Sequence, residues 1–200
     1  MIRRTKFNIS ILGESSVGKT SMVKNLKGVE FDSNQISTVG VDDFTDDVEF
    51  ENRRYKYKIF DTAGQERYKG ISTSTIQQAD GFLIVFSVTN KRSFELVDNW
   101  INSINEIIDI KTKILILAGN KADIDPDNRE VSKEEAEKYA KSKNIPYFET
   151  SAKSGFNIKE IFNRLYEDIF ILNKNLIDNK ENIELQKKEG KNKKKKKIKC

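Results

Sequence analysis

Gly13-Glu14-Ser15-Ser16-Val17-Gly18-Lys19-Thr20 has the residue types and spacing of a loop that holds a polyphosphate. Glycines near both ends let the backbone turn successive N–H groups towards one spot, and a following helix adds the positive end of its dipole. Ser15, Ser16, Val17, Gly18 and Ser21 would line the phosphates, Lys19 would reach the outer ones, and the Thr20 hydroxyl would ligate Mg²⁺. The flanks suit this chemistry. Phe7 to Leu12 alternates like a strand, and Met22, Val23 and Leu26 recur at helical spacing. The plainer alternative is an ordinary strand-to-helix turn.

Further along, Tyr55 to Phe60 alternates apolar and charged residues and runs into Asp61-Thr62-Ala63-Gly64-Gln65-Glu66-Arg67. A carboxylate at a strand end suits a Mg²⁺ held through water, which assigns Asp61 to the metal. Gly64 lets backbone approach a terminal phosphate, and Gln65, with one acceptor and two donors, can orient a water for in-line attack. Asp61-Thr62 also reads as a helix N-cap. The apolar run 113–119 ends in Asn120-Lys121-Ala122-Asp123. A carboxylate only accepts, so Asp123 matches the two adjacent N–H donors of guanine, a pair that adenine lacks. An unpaired buried acceptor would reject adenine by several kcal/mol. After Tyr147-Phe148-Glu149-Thr150, the turn Ser151-Ala152-Lys153 can brace the base.

These motifs, in this order and separation, resemble the small Ras-superfamily GTPases over residues 6–172, and the Rab branch in particular. The resemblance implies a P-loop NTPase fold of α/β class, GTP/GDP as the bound nucleotide, Mg²⁺ as cofactor, and GTP hydrolysis as a molecular switch. It assigns Thr38, 18 residues after Thr20, to Mg²⁺ and the γ-phosphate, and Phe31, 11 residues after Thr20, to the face of the guanine ring. Loops at about 31–44 and 61–76 would order around GTP and relax after hydrolysis. No arginine is an obvious finger supplied in cis, so intrinsic turnover is expected to be slow. The rivals are a GTP-binding module that has lost hydrolysis, and a P-loop kinase or ATPase. Intact Lys19, Thr38 and Gln65 disfavour the first, and Asp123 disfavours the second.

Positioning these residues takes a doubly covered sheet. Strands are expected near 6–12, 42–50, 54–60, 81–88, 113–119 and 145–149, with helices near 19–27, 65–79, 93–109, 132–143 and 157–173. The run Gly81 to Val88 is apolar on both faces, as a central parallel strand requires. Ser132 and Glu135 read as a capping box, and Ile158, Ile161, Phe162, Leu165 and Ile169 form one helical stripe. The close spacing of 42–50 and 54–60 predicts a hairpin. The outcome is a three-layer sandwich: a six-stranded, mostly parallel sheet with one antiparallel edge strand and helices on both faces.

Two hundred residues suit one such domain, assigned to 1–174, with a disordered polybasic tail over 175–200. Lys187 to Cys200 holds nine lysines against one glutamate, a net of +8; the whole chain is +5, so residues 1–186 carry −3. The basic character therefore belongs to the tail, and no nucleic-acid partner is expected. There is no hydrophobic leader or run of 18 apolar residues, which predicts a cytoplasmic protein. The single cysteine, Cys200, allows no internal disulfide. The lysine run alone reads as a solvated tail or nuclear-import signal. The resemblance adds geranylgeranylation of Cys200, although most Rabs end in two cysteines. Lipid plus lysines would hold a monomer on the cytosolic face of an endomembrane. It also implies a guanine-nucleotide exchange factor, a TBC-type GTPase-activating protein, effectors, a GDP-dissociation inhibitor and a prenylation escort. Three positions depart from the Rab pattern: Asp43 with Phe44 one step late, Phe60 for a tryptophan, and Thr75-Ile76 for a tyrosine pair. An atypical effector set follows. Strand alternation puts Phe44 opposite to the usual aromatic unless the strand bulges.

Overall fold

The computed structural model describes residues 5–32, 41–62 and 73–176. Strand β1 (Lys6–Leu12) turns Phe7, Ile9 and Ile11 to one core and Leu12 to the other, so it is buried on both faces. Its neighbours are β3 (Arg53–Thr62) and β4 (Gly81–Ser87), both parallel to it. β5 (Ile114–Asn120) and β6 (Tyr147–Glu149) continue the parallel sheet, while β2 (Val41–Phe50) pairs antiparallel with β3 at the far edge. The strand order is β2-β3-β1-β4-β5-β6. β4 is buried at every position, as its unbroken apolar sequence requires.

One core packs α1 (Lys19–Leu26) and α6 (158–176) on the sheet through Met22, Val23, Ile158, Ile161, Phe162, Leu165 and Ile169. The opposite core gathers Ile76 from α2 (Thr73–Gln78), Phe94 from α3 (Lys91–Glu95), Trp100 and Ile104 from α4 (Val97–Asn105), and Ala136 and Ala140 from α5 (Lys133–Lys143). Each fully buried side chain of this size contributes about 1.5–3 kcal/mol. The three layers match the expected architecture. The Ser132 hydroxyl accepts from Glu135 N–H at 3.1 Å, while the Glu135 carboxylate pairs with Lys91.

Glu51 and Asn52, at φ 50° and 59°, form the two-residue hairpin turn whose twist suits the flanking strands. Pairing then runs without a bulge from Phe50↔Arg53 to Val41↔Thr62. Phe44, Val48 and Phe50 consequently pack on the core beside α6. Asp43 points the other way, its Oδ2 2.7 Å from Lys58 Nζ, and that ammonium lies 4.9 Å from the centroid of the Phe60 ring. Ile76, in the third departing position, is fully buried.

Several boundaries differ from expectation. The helix placed at 93–109 starts earlier, because Asn90 Oδ1 caps Ser93 N–H at 3.1 Å, and it is divided at Leu96, where ψ is −2°. A regular α-helix needs ψ near −42°. The second piece ends at Asn105. β3 runs through Asp61 and Thr62, whose backbones pair with Ile11 and Val41; the residues that a helix capped there would contain lie outside the described ones. β6 begins only after Pro146, which has no N–H to give, although its carbonyl accepts from Leu117 N–H at 2.9 Å. α6 continues to 176, past the boundary expected at 174. Of the helix expected at 65–79 only Thr73–Gln78 falls among the described residues.

Candidate functional site

All the described motif residues gather at the carboxyl ends of β1, β3, β5 and β6. The loop after β1 passes so close to β4 that a Cβ on Gly13 would lie 2.0 Å from the Val85 carbonyl oxygen. Ser16 at φ 63° and Gly18 at φ 99° then take left-handed conformations, which fold the loop back over its own N–H groups. Gly18 caps α1, whose first bond runs from Met22 N–H to the Gly18 carbonyl at 2.9 Å. Lys19 is 5 % exposed, and its Nζ donates to the Gly13 and Glu14 carbonyls at 2.7 and 3.0 Å. Val17 is buried, Ser15 and Ser16 are exposed, and Thr20 and Ser21 lie half-buried in the first helical turn.

Asp61 is fully buried, one strand away, in register with Ile11. A carboxylate taken wholly out of water needs cationic or hydrogen-bonding company, which suits a metal ligand. Among the described residues no group of three acidic or cysteine side chains could hold a metal alone. Thr20 offers a hydroxyl and Asp61 a carboxylate, a pair of oxygen donors that fits a hard cation also taking phosphate oxygens and water. Thr38, Gly64, Gln65 and Cys200 lie outside the described residues.

The base side is organised around Asn120, 1 % exposed at the end of β5. Its Nδ2 donates to the Val17 carbonyl at 2.8 Å, and its Oδ1 accepts from Ala152 N–H at 3.1 Å and the Thr150 hydroxyl at 3.3 Å. One side chain thus joins the phosphate loop to the turn after β6. Asp123 is fixed by the Ser151 hydroxyl, which donates to its Oδ1 at 2.6 Å; Ser151 Oγ in turn accepts from Ser154 N–H at 3.0 Å. Lys121 takes φ 67°, and burial pushes its ammonium pKa down, partly offset by Asp123. Lys153 is exposed, as is the Phe31 ring at 44 %.

Other groups support the site without standing in any motif. Asn25 of α1 donates from Nδ2 to the Ala152 carbonyl at 3.2 Å. Arg129 forms an ion pair with Glu149, and that pairing raises the guanidinium pKa despite its burial. Tyr147 Oη and Asn157 Nδ2 also donate to Glu149, to Oε1 at 3.3 Å and to the carbonyl at 2.8 Å, steadying the end of β6 just before Thr150. Nothing in the local sequence marks Asn25 or Arg129; only the fold brings each to its partner.

The pattern of the Ras family matches residues 8–171. The chain is similar to Ras-related protein Rab-13 of Mesocricetus auratus, 41 % identical over 82 % of this chain and 80 % of the relative. It is similar too to Ras-related protein Rab-8A of Bos taurus, 40 % identical over 82 % of this chain and 78 % of the relative. The chain belongs to the Ras family, as a Rab-like small GTPase that hydrolyses GTP.

Proposed function

We propose that the site holds GTP and GDP through the residues assigned above, and that hydrolysis switches the protein's partners in vesicle traffic. The observation that carries this reading is the Asn120 node, which ties the phosphate loop to the turn that fixes Asp123. Phosphate oxygens would meet the N–H groups of Ser15 to Ser21 and the Lys19 ammonium. Asp123 would accept from guanine's paired N–H groups, with Lys121, Ser151, Ala152, Lys153 and Phe31 around the base. Thr20 and Thr38 would hold Mg²⁺ directly and Asp61 through water, and the ion would supply neutralisation of the developing charge. Gln65 orients the water, and Gly64 and Thr38 hold the γ-phosphate.

Without an arginine in cis, a TBC-type activating protein would raise turnover by roughly 10³–10⁵. Exchange factor, effectors, GDP-dissociation inhibitor and prenylation escort are the further partners of such a cycle. Asp43 and Lys58 beside Phe60 make the effector face more charged than an aromatic cluster would be. Lipid on Cys200 together with the lysines of 187–199 would attach the protein to an endomembrane. Among the described residues no helix is long and apolar enough to cross one.

The deciding experiment is calorimetry of the full chain with GTP, GDP and ATP, with and without Mg²⁺, followed by single-turnover hydrolysis. The expected result is guanine binding, no measurable ATP binding, and slow Mg²⁺-dependent release of phosphate. Equal binding of ATP would overturn the base assignment.

A further inference from the structure

Asp46 is an exception on its face of β2. Its neighbours there, Phe44, Val48 and Phe50, pack on the apolar core, yet Asp46 carries a carboxylate into the same layer. That charge is met from two helices. Lys27, immediately after α1, donates from Nζ to Asp46 Oδ1 at 3.0 Å and to the Thr45 carbonyl at 2.5 Å. From α6 the Tyr166 hydroxyl, on a side chain only 1 % exposed, donates to Asp46 Oδ2 at 3.0 Å. The arrangement extends one step further. Tyr57, paired with Asp46 across the hairpin, donates to the Tyr166 carbonyl at 2.9 Å, and the two rings lie 4.5 Å apart.

Burying part of an ion pair in an apolar layer stabilises little by itself; its best-attested use is to fix one arrangement among several. Here it fixes where β2 lies relative to α1. α1 begins at Lys19 and Thr20, in the phosphate loop, and ends at the lysine that grips β2. β2 begins at Val41, directly after the segment carrying Thr38. We propose that Lys27, Asp46 and Tyr166 are positioning residues for nucleotide retention: they lock β2 to the helix leaving the phosphate loop, and so set how long GDP stays bound. This rests on the reading of the site as a guanine-nucleotide site.

The fold contains its own control. On the opposite side of the sheet Asp98 accepts from Lys143 Nζ at 2.6 Å and from the Tyr139 hydroxyl at 3.0 Å, the same chemistry between α4 and α5. Release of a fluorescent GDP analogue from the full chain, measured by stopped flow, separates positioning from general stability. Lys27→Met and Tyr166→Phe should each speed release about three- to tenfold, in line with the loss of one ordinary hydrogen bond. Lys27→Arg should restore slow release. Single-turnover hydrolysis by the GTP-loaded variants should stay at the wild-type rate. Asp98→Asn should lower the melting temperature without changing release. The proposal is overturned if Lys27→Met and Tyr166→Phe release GDP at the wild-type rate, or if Asp98→Asn accelerates release as much as they do. A wild type that binds no guanine nucleotide is a different result, which overturns the reading of the site and this inference with it.

Discussion

The base side and the phosphate side of the site are built on opposite plans. On the side proposed for the base, Asn120, Thr150, Ser151, Ala152 and Asp123 are bonded across two loops, and Asn120 reaches a third at Val17, so this geometry is an extension of the core. The phosphate side is fixed at its root, where Gly13 lies against Val85 and Asn120 holds Val17. Its outer groups, Thr38, Gly64 and Gln65, lie outside the described residues. The groups proposed to recognise the base are therefore pre-organised by bonds among the described residues, while sensing of the third phosphate is assigned to Thr38, Gly64 and Gln65. A switch needs both: a grip that does not change and a sensor that does.

The sharpest way to break the comparison is Asp123→Asn. Guanine affinity should fall by about 10³, since an amide presents a donor where two acceptors are needed, and xanthine affinity should rise. Isothermal calorimetry with both nucleotides reads this directly. Asn120→Ala tests whether the two sides share one support. It strands the Val17 carbonyl and the Ala152 N–H together, and should cost about 2–4 kcal/mol of stability with a parallel loss of GDP affinity. Chemical denaturation checks the first and competition binding the second; a loss of affinity with unchanged stability would separate the sides. Gln65→Leu touches the sensor alone. It should slow single-turnover hydrolysis at least about tenfold while binding stays intact.

The smallest effect lies in the frame common to both sides. Burial raises the phenol pKa of Tyr57, Tyr139, Tyr147 and Tyr166 above the ordinary value near 10. A raised folded-state pKa means that the unfolded chain releases these protons first. Their contribution to stability is complete below about pH 10 and is lost as pH rises beyond it. Spectrophotometric titration should show these four of the six tyrosines ionising only as the protein unfolds. Early ionisation of Tyr166 would show that the α6 side of the core is looser than drawn.

The sequence carried the motif residues because each role demands a residue type that few others can fill. A phosphate loop needs glycine where a Cβ would strike Val85, and guanine needs a bare carboxylate at Asp123. Periodicity carried the six strands and the α6 stripe for the same reason, since burial on one or both faces leaves a readable pattern. It failed where the decisive interaction is local in the backbone. The division at Leu96 follows from a single ψ, and the early start of α3 from one Asn90 cap. It was silent where contact joins residues far apart in the chain. Asn25 meets Ala152 across 127 positions and Tyr166 meets Asp46 across 120, and neither partner signals the other.

At the far end of the hairpin, Lys174 pairs with Glu51, and Phe170 stacks on Phe50 with centroids 4.9 Å apart. The ten residues of β3 lie between that tip and Asp61, at about 3.3 Å each, so α6 hands the chain on about 30 Å from the nucleotide end. The molecule therefore has two poles. Tension applied through residue 176 would enter at the tip and run along the strands in shear, against the whole β2–β3 ladder. It would not peel open the loops that grip the nucleotide. A contact made at residue 176 and one made at the nucleotide end therefore meet opposite ends of the sheet.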